Sequence, residues 1–341
     1  MKKKTTIHDI AKELNTTGAT VSRALNDSPS ISKSMKESVR LVAKRLNYKQ
    51  DKVARSLRSG KTFVIGVIIP SAKISFFGSV VHGIEQIARE NGYRILLFQT
   101  NEQYLNEKEG ISTLLQSNVD CIIASISKET IDYNHFLEVK EHNIPLILFD
   151  RSKDDLGFPS VVIDDYKGAY MATTHLINRG YKRIAHISGQ QHLKIFKDRL
   201  LGYKAALNDH SFPIFEEMIT LGDISIDSGK TEASKLLNLQ NGPDAIFAAE
   251  DFTALGALQI LKNKNLHLPG KFGLVGFANE TFGEYITPTL TTVDQQNIKM
   301  GEEAAKLFLS LSDKKDIYTT SPPKIILEPL LIIRESSSQK L

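Results

Sequence analysis

Apolar residues at positions 7, 10, 11 and 14 repeat at i, i+3, i+4, i+7, the spacing of one face of a short amphipathic helix. Thr6 stands where a cap belongs, with Asp9 three residues on as a short-armed capping-box partner. A second helix is predicted to start after Thr17, which caps it, and to bury Val21 and Leu25. A third follows Ser30-Ile31-Ser32. It carries Met35, Val39, Val42, Ala43 and Leu46 on one side, with Lys36, Arg40, Lys44 and Arg45 mostly on the other. These three helices make a small domain ending near Tyr48. The first two are separated by so few residues that they have the layout of a helix-turn-helix DNA reader. The stretch from Asp51 to Lys61 is helix-compatible but too short to be stable alone, and a Ser-Gly pair closes it. It reads as a linker that orders only when something holds it.

From Thr62 onward the pattern changes to short apolar runs alternating with amphipathic helices. Strands are predicted at Phe63–Pro70, Arg94–Thr100, Asp120–Ser125, Leu146–Asp150 and Val161–Asp164. A second series follows at Arg183–Ser188, Met218–Leu221, Ala245–Ala249 and Gly273–Phe277. Continuous apolar runs of this kind suit buried parallel strands. Helices such as Gly78–Asn91 and Lys167–Arg179 lie between them, so the body is α/β with doubly wound parallel sheets. Two series are better accommodated by two sheets than by one. Two Rossmann-like lobes side by side leave a cleft, which suits a small molecule.

Charge divides the chain in the same place. Residues 1–61 hold fifteen Lys and Arg against five Asp and Glu, while the remainder has 28 against 34. A basic head on a mildly acidic body fits a head that meets a polyanion. Lys2 to Lys4 are either a solvated tail or a phosphate-touching arm. No apolar run approaches the ~18 residues of a membrane span, and the N-terminus lacks the pattern of a signal peptide. The single cysteine, Cys121, sits in an apolar strand and reads as a small buried hydrophobe. Together these features predict a cytoplasmic protein with no membrane partner and no cofactor.

Several segments, taken jointly, carry a family resemblance. They are Thr20-Val21-Ser22-Arg23-Ala24-Leu25-Asn26, Ala54-Arg55-Ser56-Leu57-Arg58-Ser59-Gly60, Asp198-Arg199-Leu200-Leu201-Gly202-Tyr203, Val275-Gly276-Phe277 and Pro288-Thr289-Leu290-Thr291-Thr292-Val293. Over nearly its whole length the chain resembles the lac-repressor (LacI/GalR-type) bacterial transcription regulators. The resemblance implies a small all-α helix-turn-helix head and an α/β core of the periplasmic-binding-protein-like type. It also implies a homodimer, a double-stranded DNA operator with two half-sites, and a carbohydrate-class effector. The family's core crosses between lobes three times. The expected division is therefore a head at 1–49, a hinge at 50–61, a first lobe of 62–163 with 295–320, and a second lobe of 164–294 with 321–341. The last strand, near Ile325–Ile333, is expected at the crossing.

The match supplies site residues one by one. Gly18, Ala19 and Arg23 fall on the family's base-reading positions. Ala19 suits a thymine methyl, Gly18 permits close approach, and Arg23 can grip guanine O6 and N7 with its fork. Thr17, Thr20 and Ser22 suit phosphate oxygens better, and Asn26 completes the DNA-contact set. In the hinge, Leu57 matches the leucine that the family wedges into a central minor-groove step. Ala54, Arg55 and Arg58 lie beside it along the groove or the phosphates. Pairing of the two hinge copies would couple core shape to DNA affinity. The effector residues implied are Phe76 and Phe77 as an apolar wall, Asp150 at a strand end, and Arg199, whose fork suits paired hydroxyls or a carboxylate.

Two positions depart from the family pattern. Glu250 stands where an amide is common. Ala278 stands where an aspartate usually holds sugar hydroxyls, and Asn279 is the residue that could compensate. Lys194 and Lys197 flank the approach to Arg199, so a sugar acid or sugar phosphate competes with a neutral sugar as the effector. An enzyme is not indicated. The segment Ser59-Gly60-Lys61-Thr62 mimics the tail of a phosphate loop, but position 55 is Arg rather than Gly. No other nucleotide, hydrolase or metalloprotease motif is present. His186, inside an apolar strand, reads as a satisfied core histidine. The short run after Arg334 leaves no room for a tetramerising heptad helix, so the expectation is a dimer.

Overall fold

The structure of the protein is a computed structural model, and it describes residues 5–48, 60–312, 317–318 and 321–338. Contacts divide the chain into two units, Met1–Thr62 and Phe63–Leu341. In the first, α1 (Ile7–Glu13), α2 (Gly18–Leu25) and α3 (Lys33–Arg45) surround a core of Ile10, Ala11, Val21, Ala24, Val39, Val42 and Ala43. Short polar side chains start each helix by taking amide protons that the first turn leaves unpaired. Asp9 Oδ2 accepts from the Thr6 N–H at 2.7 Å, Thr17 Oγ1 from the Thr20 N–H at 3.2 Å, and Ser32 Oγ from the Met35 N–H at 3.3 Å.

The second unit holds two parallel sheets. The first is six-stranded, built from β1 (Val64–Ile69), β2 (Arg94–Gln99), β3 (Cys121–Ala124), β4 (Leu146–Phe149), β5 (Ser160–Ile163) and a late strand, Lys324–Leu327. In spatial order it runs Lys324–Leu327, β5, β4, β3, β1, β2. Its helices are α4 (Ser75–Glu90), α5 (Tyr104–Gln116) and α6 (Asn134–Glu141). The second sheet has β6 (Ile184–Ser188), β7 (Ile219–Leu221), β8 (Ala245–Ala248) and β9 (Gly273–Val275), in the order β7, β6, β8, β9. Helices α7 (Asp165–Asn178) and α8 (Lys194–Asp209) cover one face, and α9 (Ile226–Leu237) and α10 (Asp251–Asn263) the other. Beyond β10 (Thr292–Asp294), α11 (Asn297–Leu311) packs on α4 of the first lobe. The two backbones nearly touch. A Cβ at Gly83 would lie 2.1 Å from the Ile298 carbonyl oxygen, and one at Gly301 2.0 Å from that of Val80.

Two expectations need correction. The anticipated strand near Ile325–Ile333 is broken at Pro329, which has no N–H to donate to a ladder. Its first part, β11 (Lys324–Leu327), pairs parallel with β5 and completes the first sheet, so 321–341 is not a segment of the second lobe throughout. Its second part, β12 (Leu330–Ile332), pairs antiparallel with β10. The other correction concerns β2. It is an edge strand, with Leu96 and Leu97 41 % and 45 % exposed, not a strand buried on both faces. No helix among the described residues is long and apolar enough to cross a membrane.

Candidate DNA-reading helix and interlobe cleft

Helix α2 turns Thr17, Ala19, Arg23 and Asn26 to solvent, with Gly18 and Thr20 partly exposed. Arg23 forms no ion pair among the described residues. Thr17 and Thr20 also share a 3.0 Å hydroxyl contact, so both hydroxyls are held at the helix start. Ser22 differs from expectation. Helical periodicity places it one residue after Val21, and it is only 9 % exposed on the packed side of α2, away from an outward phosphate contact. Gly18 also packs closely within the head. A Cβ there would sit 3.2 Å from the His8 ring and 3.7 Å from Ile7, so the missing side chain makes room for α1. Asn26 Nδ2 donates to the Ser22 carbonyl at 2.8 Å, closing the helix end. Ala54, Arg55, Leu57 and Arg58, like Lys2 to Lys4, lie outside the described residues.

In the larger unit, the strand ends of the two sheets meet at a cavity. It is lined by Ile74, Phe76, Phe77, Asp150, Arg151, Ile195, Phe196, Arg199, Ile224, Glu250, Ala278 and Gln295. It gathers five of the seven effector residues expected from sequence. Phe76 and Phe77 stand edge-to-face at 5.0 Å on the first turn of α4, with Phe77 backed by Phe149 at 6.3 Å. Asp150 ends β4 in a left-handed conformation, φ 58°, which a non-glycine residue adopts at some cost in strain. Burial pushes its carboxyl up, opposed by the charges of Arg151 and Arg199.

Arg199 is held by the protein's own groups. Its Nε and Nη2 lie 2.8 and 2.7 Å from Asp165 Oδ1. Nη1 donates to the Ala249 carbonyl at 2.6 Å and Nη2 to Gln295 Oε1 at 3.2 Å. The guanidinium is also 3.7 Å from the centre of the Phe277 ring, a cation–π distance. Burial pushes Asp165 up to about 7, with Arg199 pulling the other way. Glu250 caps α10, its Oε2 accepting from the N–H groups of Phe252 and Thr253 at 2.7 and 3.3 Å. This gives the departure from an amide a local reason, because a carboxylate suits the positive end of a helix. Burial pushes Glu250 well above the usual carboxylate range, and the neighbouring Asp251 and Glu280 add to the rise.

Lys194 and Asn279 are not in this cavity. Lys194 pairs with Asp198 one turn along α8; it lines an adjoining pocket that shares Asp150 and Ile195 with the cavity, and with Lys197 it lines another that shares Arg151. Asn279 is held between Asp294 Oδ2, which accepts from its Nδ2 at 2.9 Å, and Arg334 Nη2, which donates to its Oδ1 at 2.9 Å. It therefore does not replace the hydroxyl-binding group missing at Ala278. Sequence reading missed Arg151, which forks onto Glu102 at 2.7 and 3.0 Å, and Phe196, one turn before Arg199 on α8. The adjacent pair Asp150-Arg151 at a strand end was the available signal. Gln295 and Asp165 had none, because both reach Arg199 only through the packing of the crossing segments. His186 is buried as expected. Its Nδ1 bonds to the Phe247 carbonyl at 2.9 Å, its ring lies between Tyr203 and Phe247, and burial lowers it to about 4.

Asp251 ties the second lobe together behind the cavity. It accepts from Thr292 Oγ1 and from the Glu280 N–H, each at 2.7 Å, and burial raises it to about 7. Burial raises Asp251 to about 7 in the folded core, whereas an unfolded chain releases this proton near the ordinary value of 3.8. Between those values the folded state binds more protons, so stability falls as pH rises. Melting curves between pH 5.5 and 7 should show a loss of about 2 kcal/mol from this carboxyl. Asp251→Asn should remove its share, and an unchanged slope in that variant would count against the assignment.

A helix-turn-helix unit and a two-lobed α/β core with an interlobe cavity define a DNA-binding regulator governed by a ligand-binding domain. Comparison with known proteins agrees along the chain. Residues 6–51 match the family of bacterial regulatory proteins, lacI family, and residues 62–321 match periplasmic binding proteins and sugar binding domain of LacI family. The chain is 33 % identical over 336 residues to the HTH-type transcriptional regulator DegA of Bacillus subtilis (strain 168), covering 98 % of each. Among solved structures, the transcriptional regulator CelR–cellobiose complex superposes with a TM-score of 0.73 at 27 % identity, covering 98 % of this chain and 100 % of that one. The lac repressor dimer bound to operator and the anti-inducer ONPF has the same fold, with a TM-score of 0.84 at 24 % identity over 98 % and 99 %. The chain belongs to the LacI family. It is a DNA-binding transcriptional regulator with a sugar-binding domain, and its relatives are regulators rather than enzymes.

Proposed function

We propose that this chain represses transcription as a homodimer on a pseudo-palindromic double-stranded operator, and that a small neutral carbohydrate bound between the lobes sets its affinity for DNA. The observation that carries the effector class is the cavity lining. Phe76, Phe77 and Phe196 offer flat apolar faces to a sugar ring, and Asp150 and Glu250 offer acceptors to hydroxyls. Both arginines in the lining already hold carboxylates, Arg151 with Glu102 and Arg199 with Asp165. Lys194 is paired with Asp198, and it and Lys197 line adjoining pockets and not the cavity itself, so little unpaired positive charge faces the cavity to hold a sugar acid or phosphate. The exposed Leu96 and Leu97 on the edge strand β2 support a second copy as their cover, since apolar edges invite pairing. In the second lobe Tyr285, 79 % exposed, is a further anchor of the kind interfaces use.

The test is a thermal-shift panel on the full chain with neutral sugars, sugar acids, sugar phosphates and purines. A neutral sugar at 100 times its Kd should add about 2.7 kcal/mol of stability. Shifts from acids or phosphates alone would overturn the neutral-sugar reading.

A further inference from the structure

A buried carboxylate joins the lobes outside the cavity lining. Glu280, in the loop after β9, is 2 % exposed and reaches across to the start of α4 in the first lobe. Its Oε1 accepts from the Phe76 N–H at 3.0 Å. Its Oε2 accepts from the Ser75 N–H at 3.1 Å and from the Ser75 hydroxyl. These are N–H groups that a helix leaves unpaired at its first turn. Helix α4 has no cap of its own, because the residue before it is Ile74, whose side chain has nothing to accept with. Helices α7, α9 and α10 are instead capped from within their own lobe, by Asp164, Ser225 and Glu250. The loop delivering Glu280 is held under strain, with Ala278 at φ 117° and Asn279 at φ 52°, and the Glu280 N–H is anchored on Asp251 at 2.7 Å.

We propose that Glu280 is the clasp of the core: the lobes close by seating its carboxylate on the uncapped start of α4, and closing them sets Phe76 and Phe77 in place in the same step. The far lip of the cleft is joined by weaker, exposed contacts. Lys128 Nζ lies 2.7 Å from Asp223 Oδ1, and His192 Nε2 lies 2.7 Å from the Lys128 carbonyl. The far lip therefore follows the clasp instead of holding the lobes by itself. Because Glu280 takes the N–H groups of Ser75 and Phe76, these two donors are not offered to an effector, which meets this turn mainly through the phenylalanine rings. This last consequence rests on the interlobe cavity being the effector site; the clasp does not.

Hydrogen exchange of the full chain without ligand tests the clasp. In Glu280→Ala, residues 71–80 and the far-lip segments 125–130 and 219–224 should exchange about tenfold faster, while β3 stays protected. Glu280→Gln, which keeps one accepting oxygen and loses the charge, should fall between that variant and the wild type. Faster exchange confined to residues 276–284, or an unchanged far lip, would overturn the clasp. If Glu280→Ala loses protection in β3 as well, Glu280→Gln decides: faster lips over a protected β3 support the clasp, and unchanged lips overturn it. A sugar panel without any shift would remove the effector reading and leave these results standing.

Discussion

Arg199→Ala is expected to cost about 3–5 kcal/mol of core stability and to abolish the response to effector. The reason is what the arginine leaves behind. Asp165, on the first turn of α7, is buried against the guanidinium with distances of 2.7 and 2.8 Å. Removing the arginine strands a carboxyl in low dielectric, strips the Ala249 carbonyl and Gln295 of a donor, and empties the space over the Phe277 ring. The double variant Asp165→Asn with Arg199→Ala should recover part of the loss, because the stranded charge is then gone. Arg199→Lys should rescue poorly, since an ammonium cannot serve three acceptors in one plane. Denaturant melts of these three variants and the wild type decide the matter. A loss below about 1 kcal/mol for Arg199→Ala would show that the pair is not what fixes the crossing segments.

Operator affinity should fall by about 10³-fold or more between 50 and 200 mM salt if the two heads of a dimer neutralise six or more phosphates. The head has the charge for this, with fifteen Lys and Arg against five Asp and Glu in residues 1–61. Arg23→Ala should weaken binding to an operator selected from random sequence by about 1–3 kcal/mol per head. It should weaken binding to unrelated DNA much less, because Arg23 is assigned to a base edge and not to a phosphate. Equal losses on both DNAs would move Arg23 to the backbone contacts, and a flat salt response would remove the phosphate mechanism. Ser22→Ala should leave both affinities nearly unchanged, in line with its burial.

The sequence by itself determined the elements, their order and most of the cavity. Periodicity of 3.6 located the three head helices, and continuous apolar runs located the strands, because each pattern follows from local geometry. Asp150 and Glu250 were legible through the family resemblance, and Asp150 also as the end of a strand, where α/β sheets present their ligand groups. Only the tertiary structure decided which groups meet. Lys194 and Arg199 lie on one helix, yet the lysine turns to Asp198 while the arginine is drawn to Asp165 and Gln295, from segments 34 and 96 residues away. Ser22 is polar yet packed inward, and β2 is apolar yet at an edge, since neighbours rather than composition set burial. Glu280 shows this most fully. In sequence it is one acid in a loop, and it becomes the cap of a helix some 205 residues distant only because the two lobes close on each other. Local periodicity reports what a segment can become, whereas the partners of a buried charge are fixed by the packing of segments that the linear chain keeps apart.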